Sequence, residues 1–438
     1  MSLNSIGTAA KYILPASYDS VPEALRSNKQ AKPIPCSMNT VNVPSLSGNQ
    51  ALGGTSILQI ACGASAGYML NPYLRYTVRL GSAKIVKDGK FSFKGSSQAA
   101  TACINRLATF VNSQQVDNLQ NAWALYDLLL THSTSREWLE NDGALMVGAN
   151  TAFSVPAEVL NGTYPDITVC VPLLGLLGSQ QSIPLFLING TLQLSVDWAS
   201  SIGAVYNYDT TDPAFTSLTI ADVQLVYDKL QCEQAFVDSV RADMARGQKF
   251  VVGYTNYQTT FLSQASGASA TFNYGLNVSS LRGCVMNNYV ATDIQTASGT
   301  QSYSKANTLT RFELSLDGRL ISSVVLNSQV APAVVFAELQ KTMGRLFDAS
   351  ISEKAGYNAP NPADTAALAN NSLFNSQNFA VGVSAVRVNE GLAFSGTPAS
   401  VASIQMTFSG GAAMLSYIHF ISDFQMLIGA DGSIELVR

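Results

Sequence analysis

The sequence predicts an all-β fold built from two consecutive antiparallel β-sandwiches. Short segments in which apolar and polar residues alternate fill most of the 438-residue chain, and turn residues separate them. These segments do not alternate regularly with helices, as the strands of a parallel sheet would. In addition, two similar alternating stretches, TLQLSVDWAS at 191–200 and SIQMTFSGGA at 403–412, occur late in the first and the second half of the chain. The pair indicates a duplicated β architecture.

The composition is low in charge and rich in uncharged polar residues. Charged residues make up 12% of the chain, whereas about 25% is usual in globular domains. Ser, Thr, Asn and Gln take their place, and a surface of this kind costs less to desolvate. The composition therefore favours extensive protein–protein contact. The net charge of −4 does not predict a strong field for binding polyanions.

Residues 1–50 are predicted to form an extended N-terminal arm. Five prolines and many Ser and Asn residues occur there, and no helical or strand period runs through the segment. Such a segment is ordered only where it lies on a neighbour.

Strand-like alternation begins near residue 55 and continues through the first half of the chain. A helix interrupts it at about 113–140, where apolar residues recur at steps of three and four. The predicted strands and hairpins are 55–63, 73–81, 87–93 with a turn at Asp88-Gly89, 166–174, 183–198 with a turn at Asn189-Gly190, and 217–231.

A short connecting helix is predicted at 232–248, with Gly247 just past its end, and the pattern of the first half then repeats. A second helix is predicted at about 332–347, with Pro332 in its first turn. The predicted strands and hairpins of the second half are 249–263, 269–278, 282–291, 310–326 with a turn at Asp317-Gly318, 378–388, 403–408, and 415–437 with a turn in ADGS.

Each half therefore contains strands, a hairpin, one helix and further strands, in that order. Its last strand, VQLVYDKLQ in the first half and HFISDFQMLI in the second, carries an Asp within an apolar alternating run. The length of each half suits an eight-stranded antiparallel jelly roll with long loops. The predicted fold is a double jelly roll with short helices in its loops, divided into the arm 1–50, a first jelly roll 51–231, a linker 232–248 and a second jelly roll 249–438.

With this architecture, the chain resembles the double jelly-roll major capsid proteins of icosahedral viruses, which include tailless phages, adenovirus-like and polinton-like viruses, and virophages. Two segments carry most of the resemblance. VCVPLLGLLGSQQSIPLFLINGTLQLSVDW at 169–198 is a Pro- and Leu-rich strand pair followed by an alternating strand, and FISDFQMLIGADGSIELVR at 420–438 is an alternating strand followed by an Asp-Gly turn.

The resemblance implies a structural protein of the virion. Two similar jelly rolls per subunit would give a homotrimer a pseudo-hexameric outline, and such trimers would tile an icosahedral shell. The implied partners are other copies of the chain, penton and minor capsid proteins, and an internal membrane or genome touched by the arm. Outer loops are expected at 200–216 and 292–308.

Catalysis is not predicted, although one motif requires consideration. GASAG at 63–67 matches the GxSxG pattern and would make Ser65 a nucleophile, but that motif requires a helix directly after it and an alternating segment follows instead. The two histidines, His132 and His419, are expected at a helix end and in a strand interior. Asp209 and Asp212 are expected to line a loop, with a calcium site as the alternative. No catalytic, cofactor-binding or metal-binding residue is assigned.

The remaining features are expected to be structural. The six cysteines, with no CxxC pair among them, are expected to be reduced, because no secretion signal is recognised at the N-terminus. For the same reason, sequons such as those at Asn161 and Asn277 carry little weight. The alternatives left open are a two-domain carbohydrate-binding or adhesin-type protein and a β-rich hydrolase that uses Ser65.

Overall fold

The structure, a computed structural model, describes residues 36–82, 90–149, 153–154, 166–179, 181–201, 205–208, 215–265, 267–295, 303–321, 332–344, 377–386 and 396–438. The strands of the first half are β1 (Cys36–Pro44), β2 (Gln50–Ala51), β3 (Thr55–Ala61), β4 (Tyr68–Ser82), β5 (Lys90–Phe93), β6 (Ile104–Val111), β7 (Gln114–Gln120), β8 (Phe153–Ser154), β9 (Ile167–Pro172), β10 (Ile183–Pro184), β11 (Thr191–Trp198), β12 (Tyr206–Tyr208) and β13 (Phe215–Cys232).

Within its described residues, the second half contributes eight strands: β14 (Phe250–Gln264), β15 (Ser269–Val290), β16 (Leu309–Leu316), β17 (Arg319–Leu320), β18 (Ala380–Ser384), β19 (Thr397–Phe408), β20 (Met414–Ile428) and β21 (Ile434–Val437). The helices are α1 (Ala122–Ser133), α2 (Arg136–Glu140), α3 (Asp142–Val147), α4 (Gln234–Ala245), α5 (Ala291–Gln295) and α6 (Pro332–Thr342), and a 3-10 turn spans Ala100–Cys103.

Two antiparallel sheets form the first sandwich. One has the neighbour order β1–β13–β4, with β9 and β10 both paired to β4 and β2 paired to β13. The facing sheet has the order β3–β11–β6–β7. A small additional sheet, β12–β5–β8, lies outside this pair. Apolar residues from the two large sheets, such as Leu58, Tyr76 and Val196, are fully buried in the core.

The second sandwich is joined through β15, a strand of 22 residues. Its first part pairs with β19, and its second part, from Leu281 onward, pairs with β20 and β18. Two register shifts lie between these parts, close to Asn277 with its φ of 51°. Such shifts bend a strand, so β15 passes from one sheet to the other. The two sheets are β14–β20–β15–β18 and β15–β19–β16–β17.

The strand orders of the two halves match position by position. β1–β13–β4–β9 corresponds to β14–β20–β15–β18, and β3–β11–β6–β7 corresponds to β15–β19–β16–β17, when the two parts of β15 are counted as the counterparts of β3 and β4. The helices agree as well, since α1 to α3 lie between β7 and β9 while α6 lies between β17 and β18. Two eight-stranded jelly rolls therefore follow one another, as predicted.

The stretches that indicated duplication occupy equivalent places. TLQLSVDWAS forms β11 and SIQMTFSGGA forms the end of β19 and the turn after it, and each strand is second in its sheet. The two closing strands, β13 and β20, are also equivalent. In β11, Leu192, Leu194 and Val196 are buried and the residues between them are partly exposed, as the alternation predicts.

The structure corrects the prediction for residues 36–50. Cys36–Pro44 is not free of the first jelly roll but forms its first strand, and all nine residues pair with β13. The alternation in this strand is weak, since only Val41 and Val43 pack toward the core, and this is why the strand was not recognised. Residues 1–35 lie outside the described part of the chain.

The helix predicted at about 113–140 begins later than expected. Residues 114–120 form β7, which pairs with β6 across a turn in which Asn112 and Ser113 both have positive φ. A turn with two positive φ values matches the twist of antiparallel strands, but Asn-Ser is a weaker signal for it than Asn-Gly. The helical spacing of Val116 and Leu119 was therefore misleading, and α1 starts at Ala122.

A third correction concerns residues 183–190. They were predicted to form a hairpin with the following strand, but Ile183–Pro184 pairs with β4 whereas β11 pairs with β3 and β6. The segment thus crosses between the two sheets, and Gly190, with a φ of 136°, ends the crossing.

Several predicted turns and helices agree with the structure. Asp317 and Gly318 form the β16–β17 turn with positive φ, Gly247 follows the linker helix α4 with a φ of 89°, and Pro332 is the first residue of α6. Helix α6 ends at Thr342, five residues earlier than predicted. The turn predicted at Asp88-Gly89 lies outside the described residues.

Candidate assembly interface

The two jelly rolls meet where β7 and α1 of the first lie against β14, β15 and β20 of the second. Trp123 of α1 is at the centre of this contact. Its ring centroid lies 5.1 Å from that of Tyr289 and 5.0 Å from that of Tyr417. Edge and tilted arrangements at these separations are favourable for aromatic pairs. Ala124, Ile294 and Leu415 complete this buried apolar patch.

A buried carboxylate lies next to the aromatic patch. Asp127 of α1 accepts hydrogen bonds from the backbone N–H of Ser96 and Ser97, at 2.9 and 2.7 Å, and from the Tyr289 hydroxyl at 2.5 Å. The Ser97 hydroxyl donates to it as well. Gly95 is required beside it, because a Cβ at this position would lie 2.5 Å from a carboxylate oxygen of Asp127. The carboxylate thus joins a loop of the first jelly roll to a strand of the second.

The network continues into the sheet of the second jelly roll. The side-chain amide of Asn287 donates to the carbonyl of Ala124 and to the Tyr289 hydroxyl, at 2.9 and 2.8 Å. Its oxygen lies 3.3 Å from Nε2 of His419, and Nδ1 of that histidine lies 2.9 Å from the Thr259 hydroxyl. His419 is completely buried, and desolvation lowers its pKa from 6.5 to about 3. The imidazole is therefore neutral at physiological pH.

Lys94 makes a second polar connection across the interface. Its ammonium group donates to the backbone carbonyls of Asp293 and Ile294, at 3.0 and 2.6 Å, in α5 of the second jelly roll. Burial lowers the pKa of Lys94 from 10.5 to about 8, and the negative charge of Asp293 opposes this shift. Carbonyl groups at the C-terminal end of a helix carry partial negative charge, so they stabilise a lysine ammonium group.

A polar cavity of about 320 Å³ lies between β7 and the strands β14, β15 and β20. Asp117 lines it, and burial raises the pKa of this carboxyl from 3.8 to about 7. One oxygen of Asp117 accepts from the Leu176 backbone N–H at 3.2 Å, and the other has no hydrogen-bond partner among the residues that the structure describes. Gly175, with a φ of 69°, has no Cβ, and the Asp117 carboxylate occupies the space where a Cβ would lie.

The corresponding faces of the two jelly rolls differ in burial. All but two of the 15 residues of β20 are buried, because the first jelly roll covers the outer face of its sheet. Its counterpart β13 keeps an open outer face, where Gln224, Asp228 and Leu230 are partly exposed. On the neighbouring β1, Met38 is 65% exposed. The outer face of this sheet is therefore exposed in the first jelly roll, whereas the equivalent face is covered in the second.

The covering elements show the converse pattern. β7 and α1 are engaged within the chain, whereas their counterparts β17 and α6 carry exposed apolar side chains, Leu320 at 52% and Val334 at 38%. We call the outer side of β1, β13 and β4 the open face, and the outer side of β17 and α6 the free edge. The sequence contained one weak signal of this difference, since β20 carries a single charged residue, Asp423, whereas β13 carries three, Asp222, Asp228 and Lys229.

The residues considered for catalysis do not come together. Ser65 is exposed in the loop between β3 and β4, and β4 follows where a nucleophile elbow requires a helix. It lines a cavity of about 140 Å³ whose lining includes neither histidine. His132 is buried in α1. Asp209, Asp212 and Asn161 lie outside the described residues. Within the described part of the chain, no three His, Cys, Asp or Glu side chains cluster in a way that could hold a metal ion.

No protein-family profile and no curated protein sequence matches the chain. Its fold, however, matches solved structures over almost its whole length. The VP54 protein of PBCV-1, fitted into a reconstruction of the virophage Sputnik, aligns with a TM-score of 0.60 at 12% identity, over 94% of this chain and 99% of that one. The chain has a double jelly-roll fold.

Two further structures agree with this assignment. The Faustovirus major capsid protein aligns with a TM-score of 0.59 at 9% identity, over 91% of this chain and 92% of that protein. The mavirus major capsid protein aligns with a TM-score of 0.50 at 10% identity, over 91% and 89%. The resemblance that the sequence indicated is thus confirmed at the level of the fold. No helix among the described residues is long and apolar enough to cross a membrane.

Proposed function

We propose that the chain is a viral major capsid protein that acts as a structural subunit without catalysis. The observation that carries the proposal is the repetition of one strand order in two jelly rolls, together with a covered face in the second and an open face in the first. The likeness of the fold to capsid proteins of PBCV-1, Faustovirus and mavirus supports it.

The assembly unit in this proposal is a homotrimer. Within the chain, β7 and α1 of the first jelly roll cover the sheet of β14, β20 and β15. If the same relation is repeated between chains, the free edge of one copy covers the open face of the next. Three chains then close a ring of six similar sandwiches, because a heterologous contact generates a ring when its rotation closes. The outline of such a ring is pseudo-hexameric.

The side chains at these two surfaces suit a contact between copies. The free edge offers Leu320 and Val334, and the open face offers Met38 beside polar groups such as Asp228. Apolar anchors surrounded by polar residues are typical of protein interfaces. The low charge of the chain, 12%, keeps the cost of desolvating these surfaces small.

Further assembly and location follow from the same proposal. Trimers would tile an icosahedral shell in the virion, with penton and minor capsid proteins as additional partners. The division into an N-terminal segment, two jelly rolls and a linker helix is part of the proposal, with the first jelly roll starting at Cys36. The residues before Cys36 would contact neighbouring trimers, an internal membrane or the genome.

Oligomeric state in solution tests the proposal. Light scattering coupled to size-exclusion chromatography should give three times the monomer mass. Met38→Glu and Val334→Glu should each shift the protein to monomers, because each buries a charge without a partner in the contact. Leu145→Glu is the matched control, since Leu145 is 83% exposed on α3, which belongs to neither of the two surfaces, and it should leave the trimer intact. A monomeric wild type, or trimers that are insensitive to both variants, would contradict the trimer contact.

A further inference from the structure

Two cysteines face each other at the beginning of the first sheet. Cys36, the first residue of β1, is the register partner of Cys232, the last residue of β13. Both are free thiols, Cys36 exposed and Cys232 half-buried. Among the described residues, this is the only register position that two cysteines share: Cys170 lies opposite Arg75, and Cys284 lies opposite Val383 and Phe420.

The register places the two thiols on the same side of the sheet at close range. The Ser45 N–H donates to the Val223 carbonyl at 2.9 Å, so 45 and 223 form a hydrogen-bonded pair. Hydrogen-bonded and non-hydrogen-bonded pairs alternate along antiparallel strands. The register from Pro44–Gln224 to Cys36–Cys232 has no shift. Cys36 and Cys232 are therefore a non-hydrogen-bonded pair, the kind with Cα atoms about 4.5 Å apart and side chains closer together.

A second pair on the same side shows how close these side chains are. Thr40 and Asp228 also form a non-hydrogen-bonded pair, and the Thr40 hydroxyl donates to the Asp228 carboxylate at 2.9 Å. A Cα separation of about 4.5 Å lies within the range that disulfides span, roughly 4.4–6.8 Å. Proximity is also apparent in the pKa of Cys232, which burial raises and the charge of a Cys36 thiolate raises further.

We propose that Cys36 and Cys232 are a disulfide site that fastens the first strand of the protein to the sheet. The oxidant is a low-molecular-weight disulfide such as oxidised glutathione. The exposed Cys36 thiolate attacks one sulfur of that disulfide, forms a mixed disulfide and releases one thiol. Cys232 then loses its proton and attacks the Cys36 sulfur, and the second glutathione thiol leaves. Two protein thiols are oxidised and one glutathione disulfide is reduced, so atoms and electrons balance.

Within a single chain, the fastened strand is held mainly by its pairing with β13. β1 is the edge of its sheet, and most of its residues are exposed, so it is expected to open more readily than the core strands. A bond at Cys36 closes the N-terminal end of β1. Oxidation would thus keep β1 in place, and reduction would allow it to open.

The test uses the full-length protein equilibrated with oxidised and reduced glutathione. Free thiols are then blocked, and non-reduced peptides are analysed by mass spectrometry. A peptide linking Cys36 to Cys232 should form and should disappear with reductant. Hydrogen exchange of the β1 amides should slow at least about tenfold in the oxidised protein, and the oxidised protein should melt about 5 °C or more above the reduced one.

Controls separate this bond from general oxidation. Cys36→Ser should abolish both the linked peptide and the change in exchange, whereas Cys170→Ser, which alters a half-buried thiol in the same sheet, should leave both unchanged. Cys232→Ser should behave as Cys36→Ser does. Mixed disulfides with glutathione at Cys36 in place of the linked peptide, or a linked peptide without slower exchange in β1, would overturn the proposal.

Discussion

His419 is the residue whose burial has the clearest energetic consequence. Its ring bonds Thr259 and Asn287 in an environment without exposure to solvent, and its pKa is lowered to about 3. In the unfolded chain the ring titrates near its ordinary value of 6.5. Between these two values the unfolded state binds a proton that the folded state does not bind. Acidification below pH 6.5 therefore favours unfolding.

The variant His419→Gln tests this assignment. An amide can bond both neighbours but does not titrate, so the variant should lose less stability than the wild type when the pH falls from 7 to 5. The expected difference is about 2 kcal/mol, measured by urea denaturation of both proteins at both pH values. Each protein is compared with itself, so a change in stability at pH 7 does not affect the result. Equal losses would show that His419 is accessible to protons in the folded state.

Asp117 should have the opposite pH dependence. Its folded pKa is raised from 3.8 to about 7, so the folded state binds the extra proton between these values. The stability from this site is complete below pH 3.8 and is lost as the pH rises through 7. Asp117→Asn keeps an acceptor for the Leu176 N–H and removes the titration.

The gain in stability from Asp117→Asn should therefore increase between pH 5 and pH 8, by about 2–3 kcal/mol. Chemical denaturation across this range measures it. Asn118→Asp provides a control at the next position of β7, because it adds a carboxylate that is partly exposed and should not reproduce this profile. A constant difference between wild type and Asp117→Asn at all pH values would contradict the raised pKa.

At the scale of elements, α1 is the part of the first jelly roll on which the contact with the second depends. It carries Trp123 on its apolar side and Asp127 as the acceptor of four hydrogen bonds. Removal of a buried acceptor leaves its donors unpaired, which costs more than the bonds themselves contribute. The helix thus stabilises the loop at Ser96 and Ser97 and the interface at the same time.

A double-mutant cycle on Asp127 and Tyr289 separates these two roles. Asp127→Ala should destabilise the protein by about 3–5 kcal/mol, since four buried donors lose their acceptor. Tyr289→Phe removes one of these donors and should cost about 1–2 kcal/mol. The double variant should cost clearly less than the sum, because the hydroxyl that Asp127→Ala leaves unpaired is then absent. Strict additivity would show that the bond between the two jelly rolls contributes nothing.

The sequence predicted elements that depend on local patterns, but not the contacts between the two jelly rolls. Local patterns predicted β11, β19, the linker helix α4 and the β16–β17 turn. The alternation of a strand, the Gly that ends a helix and the Asp-Gly of a turn each depend only on residues close together in the sequence. The start of α1 was predicted wrongly, because Val116 and Leu119 fit a helix period although β6 draws them into a strand. The network of Asp127, Asn287 and His419 was not predictable, because its members approach only when the two jelly rolls pack together.

At the scale of the whole molecule, the two jelly rolls form one continuous interior. A single buried cluster includes residues from both, such as Leu194 in the first and Ile418 in the second. The outer face of β20 is buried only because the first jelly roll covers it. Unfolding of the first jelly roll would expose Tyr417 and Leu415 to water, so the second is not expected to remain folded alone. The chain should unfold in one cooperative transition.

The positions of the tryptophans allow a direct test of this cooperativity. All three, Trp123, Trp138 and Trp198, belong to the first jelly roll. Tryptophan fluorescence therefore reports mainly on the first half, with Trp123 also sensitive to the contact with Tyr289 and Tyr417, whereas circular dichroism in the far ultraviolet reports on strands of both halves. Coincident denaturation curves from the two probes would establish one cooperative unit, and curves that separate would show that the halves unfold independently.

A variant at the interface should separate the two curves. Tyr289→Ala removes the ring that packs on Trp123 and the hydroxyl that bonds Asp127, without changing a residue of the first jelly roll. It weakens the contact while the strands of both sandwiches keep their own cores. The circular dichroism transition should then begin at a lower denaturant concentration than the fluorescence transition, because the second jelly roll loses the cover of its sheet and unfolds first. Phe272→Ala, a change of a half-buried ring within the second jelly roll, is the control: it lowers the stability of the sheet itself but leaves the interface in place, so the two curves should shift together.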